Sequence, residues 1–297
     1  MTDELSILIP TLNHCCVQLV EALVHQANDI NGLRYEVIVT EDGSTDKESI
    51  LANHAILHMD NCHHICREVN VGRAAIRNFL ASKARYQRLL FIDCDLGVIR
   101  DDYLEQFLQA NGDVVYGSYH IQGSQDTLKD NLRFRYEMAA APKREVLWRQ
   151  EHPYRAFRTC NFLATRDVMS RYPFDERFVR YGFEDTLFAK TLSQAGIIIQ
   201  HIDNPLCFDT FESNARFLEK TEEGLRTLHA FRHDLADFSS LLSTAQRIES
   251  WHLAPFIRGL HKVMGKFTRR RLLYAKPPLW IFNAYKLGYF MSIQRHP

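Results

Sequence analysis

The chain has no run of eighteen or more apolar residues, and its start, Met1-Thr2-Asp3-Glu4, lacks a basic segment followed by an apolar one. A transmembrane helix needs about 20 mostly apolar residues, and a secretory signal needs that basic and apolar start. We therefore expect neither feature and predict a cytoplasmic protein. Hydrophobic residues make up 46% of the chain and charged residues 24%, as in ordinary soluble globular proteins.

A paired set of cysteines is also absent, because the chain has seven, irregularly spaced at positions 15, 16, 62, 66, 94, 160 and 207. A disulfide framework needs pairs and an oxidising compartment, so we expect reduced thiols. The segment Cys62-His63-His64-Ile65-Cys66 resembles part of a zinc site, but it lacks a second pair of ligands. We interpret it instead as a buried strand.

Neither sign of charge is in excess, since 36 basic and 36 acidic residues give a formal net charge of zero. This balance hides two opposed regions. Residues 255–297 contain nine Lys or Arg and no Asp or Glu, which leaves residues 1–254 with 27 basic and 36 acidic residues. The chain is therefore acidic over most of its length and basic in its tail.

Apolar segments of strand length alternate with segments of helical periodicity. The predicted strands are residues 6–9, 35–39, 63–66, 88–92, 113–118, 159–164 and 197–202. Predicted helices begin after Asn13 and after Ser44 or Thr45 as N-caps, and others cover residues 73–84 and 184–195. Residues 120–155 are polar and interrupted, which indicates that they include a mobile loop, and the pattern beyond residue 211 is helical. This alternation predicts an α/β protein with a mostly parallel sheet.

Acidic residues follow two of the predicted strands. Asp93-Cys94-Asp95 comes directly after the apolar segment Leu89-Leu90-Phe91-Ile92, and Glu41-Asp42 follows the second strand. Ligands of such sheets bind beyond the carboxyl ends of the strands. Asp93 and Asp95 therefore predict a site for a hard divalent cation, Mn²⁺ or Mg²⁺. Asp42 predicts a contact with a base or a ribose, and an N-capping turn is an equal alternative for its segment.

The first strand is not followed by a G-x-G-x-x-G motif, so a dinucleotide site of the Rossmann type is disfavoured. A Gly-rich phosphate loop is missing from the same place, where the chain has Pro10-Thr11-Leu12-Asn13-His14. This absence argues against a nucleotidyltransferase, which otherwise stays open as an alternative function.

Four motifs in a fixed order carry a family resemblance. They are Ser6-Ile-Leu-Ile-Pro-Thr-Leu-Asn13, Glu36-Val-Ile-Val-Thr-Glu-Asp-Gly-Ser-Thr-Asp46, Asn70-Val-Gly-Arg-Ala-Ala-Ile-Arg-Asn78 and Phe91-Ile-Asp-Cys-Asp95. Residues 4–230 resemble a family 2 glycosyltransferase of the GT-A fold, and Phe174 to Asp185 is similar to a galactosyltransferase-like acceptor segment. The resemblance implies a Rossmann-like, mixed, mostly parallel sheet flanked by helices. It also implies a catalytic domain at 1–211, with a nucleotide-sugar half at about 1–118 and an acceptor half at about 119–211, and a helical region at 212–297.

The resemblance also implies which residues hold the nucleotide-sugar donor. The Pro-Thr turn and the acid of the second strand would bind the base and ribose, and the basic residues of the Asn-x-Gly helix would lie near the diphosphate. The first acid of the D-x-D would also take part in binding the donor. The implied set is Pro10, Thr11, Asp42, Arg73, Arg77 and Asp93. The family usually has two aspartates before the Gly-Ser, and Glu41 replaces the first here.

The Glu-Asp pair at the start of the helix at 184–195 is implied to serve catalysis, with Asp185 as the base and Glu184 touching the acceptor. Asp95 and Asp93 are the implied metal ligands. Relatives often carry a third ligand in Asn-Pro-x-x-His, but this chain has Asn204-Pro-Leu-Cys-Phe208-Asp209. Asp209 is the substitute candidate and His201 is a weaker one.

The tail predicts an amphipathic helix. Its apolar face is Phe256, Leu260, Val263, Met264 and Phe267, and its basic face is Arg258, Lys262, Lys266 and Arg269. Aromatic residues follow at Trp280, Phe282, Tyr285, Tyr289 and Phe290. Such a helix suits the anionic inner face of a cell membrane, and packing on the protein's own acidic surface is the alternative. No nucleic-acid-reading motif accompanies it.

These observations predict an inverting glycosyltransferase that moves a sugar from a UDP-linked donor to a hydroxyl of a glycan or lipid-linked acceptor, in the synthesis of a cell-surface glycan or polysaccharide. A third hypothesis is a membrane-recruited sugar-nucleotide-binding protein that has lost catalysis. The Phe at position 208 is its main support.

Overall fold

The computed structural model describes residues 3–274 and 276–293. The strands in these residues are β1 Glu4–Thr11, β2 Arg34–Asp42, β3 Cys62–Arg67, β4 Arg88–Ile92, β5 Val114–Tyr116, β6 Tyr119–Ile121, β7 Asn161–Thr165, β8 Ile199–His201 and β9 Leu206–Phe208. Seven of them form one sheet in the order β3-β2-β1-β4-β7-β5-β8, and β6 pairs with β9. Only β7 runs antiparallel to its neighbours. The prediction of a mixed, mostly parallel sheet is confirmed.

Strands β1, β2 and β4 form the centre of this sheet because they are apolar along nearly their whole length. Ile7 pairs with Val37 on one side and with Leu90 on the other, and all three side chains are fully buried. A parallel sheet that is buried on both faces requires such continuous apolar runs. The shared direction of these strands brings Thr11, Asp42 and the residues after Ile92 to the same edge of the sheet.

Helices follow the strands in chain order. They are α1 Val17–Asp29, α2 Lys47–Asn53, α3 Arg73–Lys83, α4 Tyr103–Gln109, α5 Gln125–Leu128, α6 Leu132–Ala139, α7 Val146–Glu151, α8 Pro153–Ala156, α9 Arg166–Arg171, α10 Glu184–Gln194, α11 Asn214–Ala230, α12 Ser240–Ser250, α13 Ala254–Leu273 and α14 Leu279–Ser292. Two short 3-10 helices cover His54–His58 and Ala141–Arg144. The segment 120–155, which the sequence predicts to include a mobile loop, contains α5, α6 and α7, and β6 and α8 overlap its ends.

Both predicted N-caps differ from the structure. Asn13 does not cap α1, which begins after Cys16. Asn13 instead adopts a left-handed backbone (φ 53°), and its Oδ1 accepts hydrogen bonds from the backbone N–H groups of Thr45 (2.7 Å) and Asp46 (2.8 Å). Asp46, not Ser44 or Thr45, caps α2 by accepting from the N–H of Glu48. The side chain of Asn13 therefore ties together the loops after β1 and β2.

The chain divides into two units. The first contains residues up to Gln122 together with Lys143–Val179 and Glu184–Asp209, and it holds all the strands of the described residues. The second combines Gly123–Pro142, Arg180–Phe183 and the residues from Thr210 onward. Residues 123–142 join the second unit because its core is built partly from α6. The buried members of that core are Leu132, Leu218, Leu272, Phe282 and Tyr285.

Among residues 3–274 and 276–293, none of the helices is both long enough and apolar enough to cross a membrane. The predictions that rest on Met1 and Thr2 and on Arg295 in the basic tail lie outside the described residues.

Candidate active site

Asp93 lies directly after β4 and is held by its backbone and by its carboxylate. Its N–H donates to the carbonyl of Cys160 at 2.9 Å. One carboxylate oxygen accepts a hydrogen bond from Arg77 Nη2 at 2.5 Å, and the other lies 3.8 Å from Arg73 Nη1. Both arginines come from the first two turns of α3, four residues apart and hence on the same face of the helix. The predicted acid and the two predicted basic residues therefore meet.

Arg77 is a buried cation between two acids. Its side chain is 1% exposed, its Nη2 binds Asp93, and its Nη1 lies 3.7 Å from Oε1 of Glu184. A buried charge of this kind is stable only when it is paired. This burial does not suit the direct diphosphate contact implied for Arg77. Arg73, whose side chain is 47% exposed, is the better placed of the two for that contact.

Glu184 and Asp185 begin α10 and differ in their surroundings. Glu184 is buried beside Arg77, and burial, together with the neighbouring Asp185 carboxylate, raises its pKa. Its carboxylate faces the interior of the first unit, which does not suit the acceptor contact implied for it. Asp185 is 18% exposed, and its Oδ1 accepts from the N–H (2.6 Å) and the hydroxyl (3.1 Å) of Thr186.

Asp95 is half-buried on the turn that follows β4. Asp95 and Asp93 both stay candidate metal ligands, and one carboxylate oxygen of Asp93 is paired with Arg77. Cys94 stands between them, and burial raises the pKa of its thiol to about 12, so the thiol is protonated near neutral pH. The donors at this turn are thus carboxylate oxygens, the ligands that Mg²⁺ and Mn²⁺ prefer. The residues present fit the implied hard cation.

Phe208, which stands where relatives often have a histidine, is a packing residue. It is buried in β9, and its ring lies 6.4 Å from that of Tyr119. The backbone of Cys207 exchanges two hydrogen bonds with Gly97, at 2.9 and 2.7 Å, so β9 lies beside the turn that carries the two aspartates. Asp209 follows on the surface and keeps its status as a candidate ligand.

His201, the weaker metal candidate, does not have the environment of a ligand. Its Nε2 lies 2.9 Å from the carbonyl of Pro153, and its Nδ1 lies 3.2 Å from Nη1 of Arg149, which is itself buried. Burial is the main cause that lowers the pKa of His201 to about 4. Both ring nitrogens are engaged within the protein, so we withdraw this residue as a metal candidate.

Asp42 ends β2 and holds the loop that leads into α3. Its two carboxylate oxygens accept hydrogen bonds from the N–H groups of Val71 (3.0 Å) and Gly72 (3.1 Å). Gly43 adopts φ 71°, and a Cβ on it would lie 2.3 Å from the backbone nitrogen of Asn70. This close approach requires glycine. The predicted nucleotide-binding turn is therefore fixed against the Asn-x-Gly motif.

Thr11 completes this edge of the sheet. It pairs with Glu41 in the register of β1 and β2, its side chain is buried, and its hydroxyl donates to the carbonyl of His14 at 3.0 Å. Pro10 beside it is half-buried. The first unit thus places Thr11, Asp42 and Asp93 at the ends of three adjacent strands, as the order of the motifs predicted.

The model of glycosyl transferase family 2 matches residues 6–172, more than half of the chain. The chain belongs to this family. It is therefore a glycosyltransferase, an enzyme that transfers a sugar.

Two curated relatives are chondroitin synthases. The chain is 25% identical to the protein of Escherichia coli over 245 residues, which cover 69% of this chain and 34% of that protein. It is 23% identical to the protein of Pasteurella multocida over 235 residues, which cover 69% of this chain and 24% of that protein. The glycosyltransferase therefore spans about a third or less of the length of these relatives.

Solved structures with the same fold include two glycosyltransferases. The mannosyltransferase PcManGT from Pyrobaculum calidifontis, in complex with GDP-Man and Mn²⁺, superposes with a TM-score of 0.58 at 14% identity, covering 96% of this chain and 85% of that one. TarS (residues 1–349) from S. aureus, in complex with UDP-GlcNAc, gives 0.52 at 16% identity, covering 97% and 90%. At such identities the likeness shows the fold alone, which is GT-A.

Two residues of this glycosyltransferase that bear on the site had no signal in the sequence. Arg158 Nε lies 3.7 Å from Oδ2 of Asp185. Asn161 is fully buried, accepts from the hydroxyl of Tyr103 at 2.7 Å and donates to the carbonyls of Ser118 (2.7 Å) and Asn204 (3.0 Å). A buried amide inside a strand marks a packing constraint, but its partners are far away in the chain. Only the folded structure identifies them.

Proposed function

We propose that this glycosyltransferase transfers a sugar from a UDP-linked donor to a hydroxyl acceptor with inversion at the anomeric carbon. The observation that carries the proposal is the chain of paired charges Asp93–Arg77–Glu184, which joins the end of β4 to the start of α10. It links the turn with the candidate metal ligands to the acid best placed to act as a base. This pairing supports a site in which the donor and the acceptor bind on neighbouring elements.

On the donor side, we propose that Pro10, Thr11 and Asp42 bind the base and the ribose and that Arg73 binds the diphosphate. Asp95 would hold a divalent cation. Asp93, which is paired with Arg77, would be the second carboxylate near that cation. When bound, Mn²⁺ or Mg²⁺ neutralises the charge that develops on the departing diphosphate. The Mn²⁺ and the nucleotide sugars bound by the two similar structures are in keeping with this assignment.

On the acceptor side, Asp185 is the proposed general base. Its carboxylate is partly exposed at the first turn of α10 and is oriented by Thr186. It would take the proton of the acceptor hydroxyl as the oxygen attacks the anomeric carbon from the face opposite the leaving group. A single displacement of this kind inverts the configuration.

The test of the donor site is a panel of nucleotide sugars measured by calorimetry with and without Mn²⁺, on the wild type and on Asp95→Ala. We expect one UDP-sugar to bind tightly only with Mn²⁺ and to lose at least about tenfold in affinity in the variant. Asp101→Asn, a change at an exposed acid after the same strand, is the control and should bind as the wild type does. Equal donor affinity of Asp95→Ala and wild type would overturn the metal assignment.

We also propose that α13 binds the anionic inner face of the cell membrane and brings the enzyme to a lipid-linked acceptor or a glycan being synthesised there. All five residues of the predicted apolar face are exposed, including Val263 at 82% and Phe267 at 67%. The helix packs instead through Ala254, Gly265 and Leu272, which are buried on a third side.

The aromatic part of this prediction needs a correction. Phe282, Tyr285 and Phe290 are buried and belong to the packing of α14, so they do not reach an interface. Trp280, which is 73% exposed, keeps that role. We expect the protein to sediment with vesicles containing phosphatidylserine and not with neutral ones, and we expect added salt to weaken the binding. Equal binding to both kinds of vesicle would exclude the electrostatic part of the proposal.

A further inference from the structure

A second group of metal-binding side chains lies at the edge of the large sheet. One ligand atom each from His54, His64 and Cys66 lies within 4.8 Å of the others. The Sγ of Cys66 is 3.9 Å from Nε2 of His64. Oε1 of Glu41 is 3.2 Å from that same nitrogen. The four residues offer two nitrogens, one sulfur and one carboxylate.

The fold brings these residues together from separate parts of the chain. His64 and Cys66 alternate along β3 and so point to the same face of the sheet. Glu41 is the register partner of Cys66 on the neighbouring parallel strand β2. His54 begins the 3-10 helix after α2, and its ring lies edge-on to that of His64 at 5.4 Å. The C-x3-C spacing at 62–66 does not predict this arrangement, because the third side chain of the cluster is that of His54 and not that of Cys62.

The separations from His64 are close to those of a tetrahedral site. Zinc binds sulfur at about 2.3 Å and nitrogen or carboxylate oxygen at about 2.0–2.2 Å, so tetrahedral ligand atoms lie roughly 3.3–3.7 Å apart. Nε2 of His64 lies 3.9 Å from Sγ of Cys66 and 3.2 Å from Oε1 of Glu41. The ligand atoms of His54, His64 and Cys66 all lie within 4.8 Å of one another, so a single cation can reach all three.

We propose that His54, His64 and Cys66 form a site for Zn²⁺ or a similar thiophilic cation, with the carboxylate of Glu41 beside His64. A thiolate and imidazoles select such a cation, whereas the carboxylates of Asp93 and Asp95 select Mg²⁺ or Mn²⁺. The two sites therefore differ in the metal they take. The proposal does not depend on the reaction that the enzyme catalyses.

The surroundings of Glu41 support a cation here. The side chain is buried, its Oε1 accepts from Asn53 Nδ2 at 2.8 Å, and its Oε2 accepts from the hydroxyl of Ser44. Its carboxylate is thus held in place before any metal arrives. Zinc binds the deprotonated thiolate, so binding should release a proton and strengthen as pH rises.

Titration of the full chain with Co²⁺, a spectroscopic stand-in for Zn²⁺, tests the site. We expect a thiolate-to-cobalt charge-transfer band that one equivalent of Zn²⁺ abolishes. Cys66→Ser should remove the band, and His64→Gln and His54→Gln should weaken binding at least about tenfold, comparable to or larger than losses from outer-shell changes. The controls are Cys15→Ser, at an exposed thiol on another loop, and His63→Gln, at the exposed neighbour of His64 on the opposite face of β3.

Absence of a thiolate band in the folded wild type, or its persistence in Cys66→Ser, would overturn the proposal. Loss of the band in either control would do the same. If Cys66→Ser fails to fold, alkylation of the wild type decides: Zn²⁺ should protect Cys66 from iodoacetamide and leave Cys15 reactive. Asp95→Ala should keep the band, so failure of this site is distinguishable from failure of the proposed donor site.

Discussion

Two regions of the molecule depart in opposite ways from the usual arrangement of a soluble protein, in which charged side chains are exposed and apolar side chains are buried. The first unit contains buried charges, whereas α13 has an exposed apolar face. Arg77 and Glu184 are almost wholly inside, whereas Val263 and Phe267 are mostly outside. Arg77 lies between the carboxylates of Asp93 and Glu184, so the cost of burying these charges is compensated within the fold. The apolar side chains of α13 stay in water in this structure, and their burial requires an external surface. The first region is therefore self-sufficient and the second predicts a partner.

The largest expected effect comes from Asp185, the partly exposed acid beside Glu184 at the start of α10. Asp185→Asn should lower kcat about 10²–10⁴-fold, because an amide cannot accept the proton of the acceptor hydroxyl. Donor affinity should not change. Steady-state kinetics and calorimetry on the same preparation check both statements, with Asp101→Asn as the control. A kcat within about threefold of wild type would mean that another group is the base.

The next effect separates the two arginines of α3. Arg77→Met leaves Asp93 and Glu184 without their shared cation and should lower the free energy of unfolding by about 3–5 kcal/mol. Arg73→Met, at a half-exposed position, should change it by no more than about 0.5 kcal/mol and should instead raise the KM for the donor. Denaturant unfolding and kinetics measure both. Equal losses of stability in the two variants would contradict the distinction.

The sequence predicts which residues lie at the carboxyl ends of the strands, but it does not predict which of the two arginines of α3 is buried. Thr11, Asp42 and Asp93 follow apolar strands, and the parallel topology alone brings them together. Arg73 and Arg77 have the same spacing and residue type, so nothing local tells which is buried. The answer depends on Glu184, which reaches Arg77 from a distant helix.

The sequence alone does not separate His201 from His64, and the physical reason is the same for both. A histidine in a strand is a ligand or a packing residue according to its partners, and those of His201 are Arg149 and the carbonyl of Pro153. His64 has the opposite surroundings, with Cys66 and Glu41 beside it. Alternation along β3 is visible in the sequence, but the approach of His54 is not, because it follows from the packing of a separate helix.

His201 also allows a test of how burial of a titratable side chain in the first unit makes the free energy of unfolding depend on pH. Its pKa is lowered from 6.5 to about 4, so the folded protein resists protonating it. The resulting stability is fully present above the unfolded pKa and is lost as pH falls from 6.5 through about 4, by about 3 kcal/mol in total at 1.36 kcal/mol for each pKa unit. His201→Gln should flatten this decline in unfolding measurements between pH 7 and pH 4, and the exposed His63→Gln should not. Parallel curves for wild type and His201→Gln would contradict it.

The smallest effect tests the second region. Val263→Ser and Phe267→Ser should each weaken binding to anionic vesicles by about tenfold, since loss of a buried apolar side chain costs about 1.5 kcal/mol or more. Neither change should alter the free energy of unfolding by more than about 0.5 kcal/mol, because both side chains are exposed in the folded protein.

Leu51→Ser provides the matched control for that pair, because Leu51 is 70% exposed on α2, a helix of the first unit. If Leu51→Ser weakened vesicle binding as much as Phe267→Ser, general surface hydrophobicity would explain the binding and α13 would lose its assigned role. If Phe267→Ser instead destabilised the fold, its ring would be packed in solution, and the contrast between an internally compensated region and an uncompensated one would fail. An external partner for α13 is required only if Phe267→Ser weakens vesicle binding and leaves the free energy of unfolding unchanged.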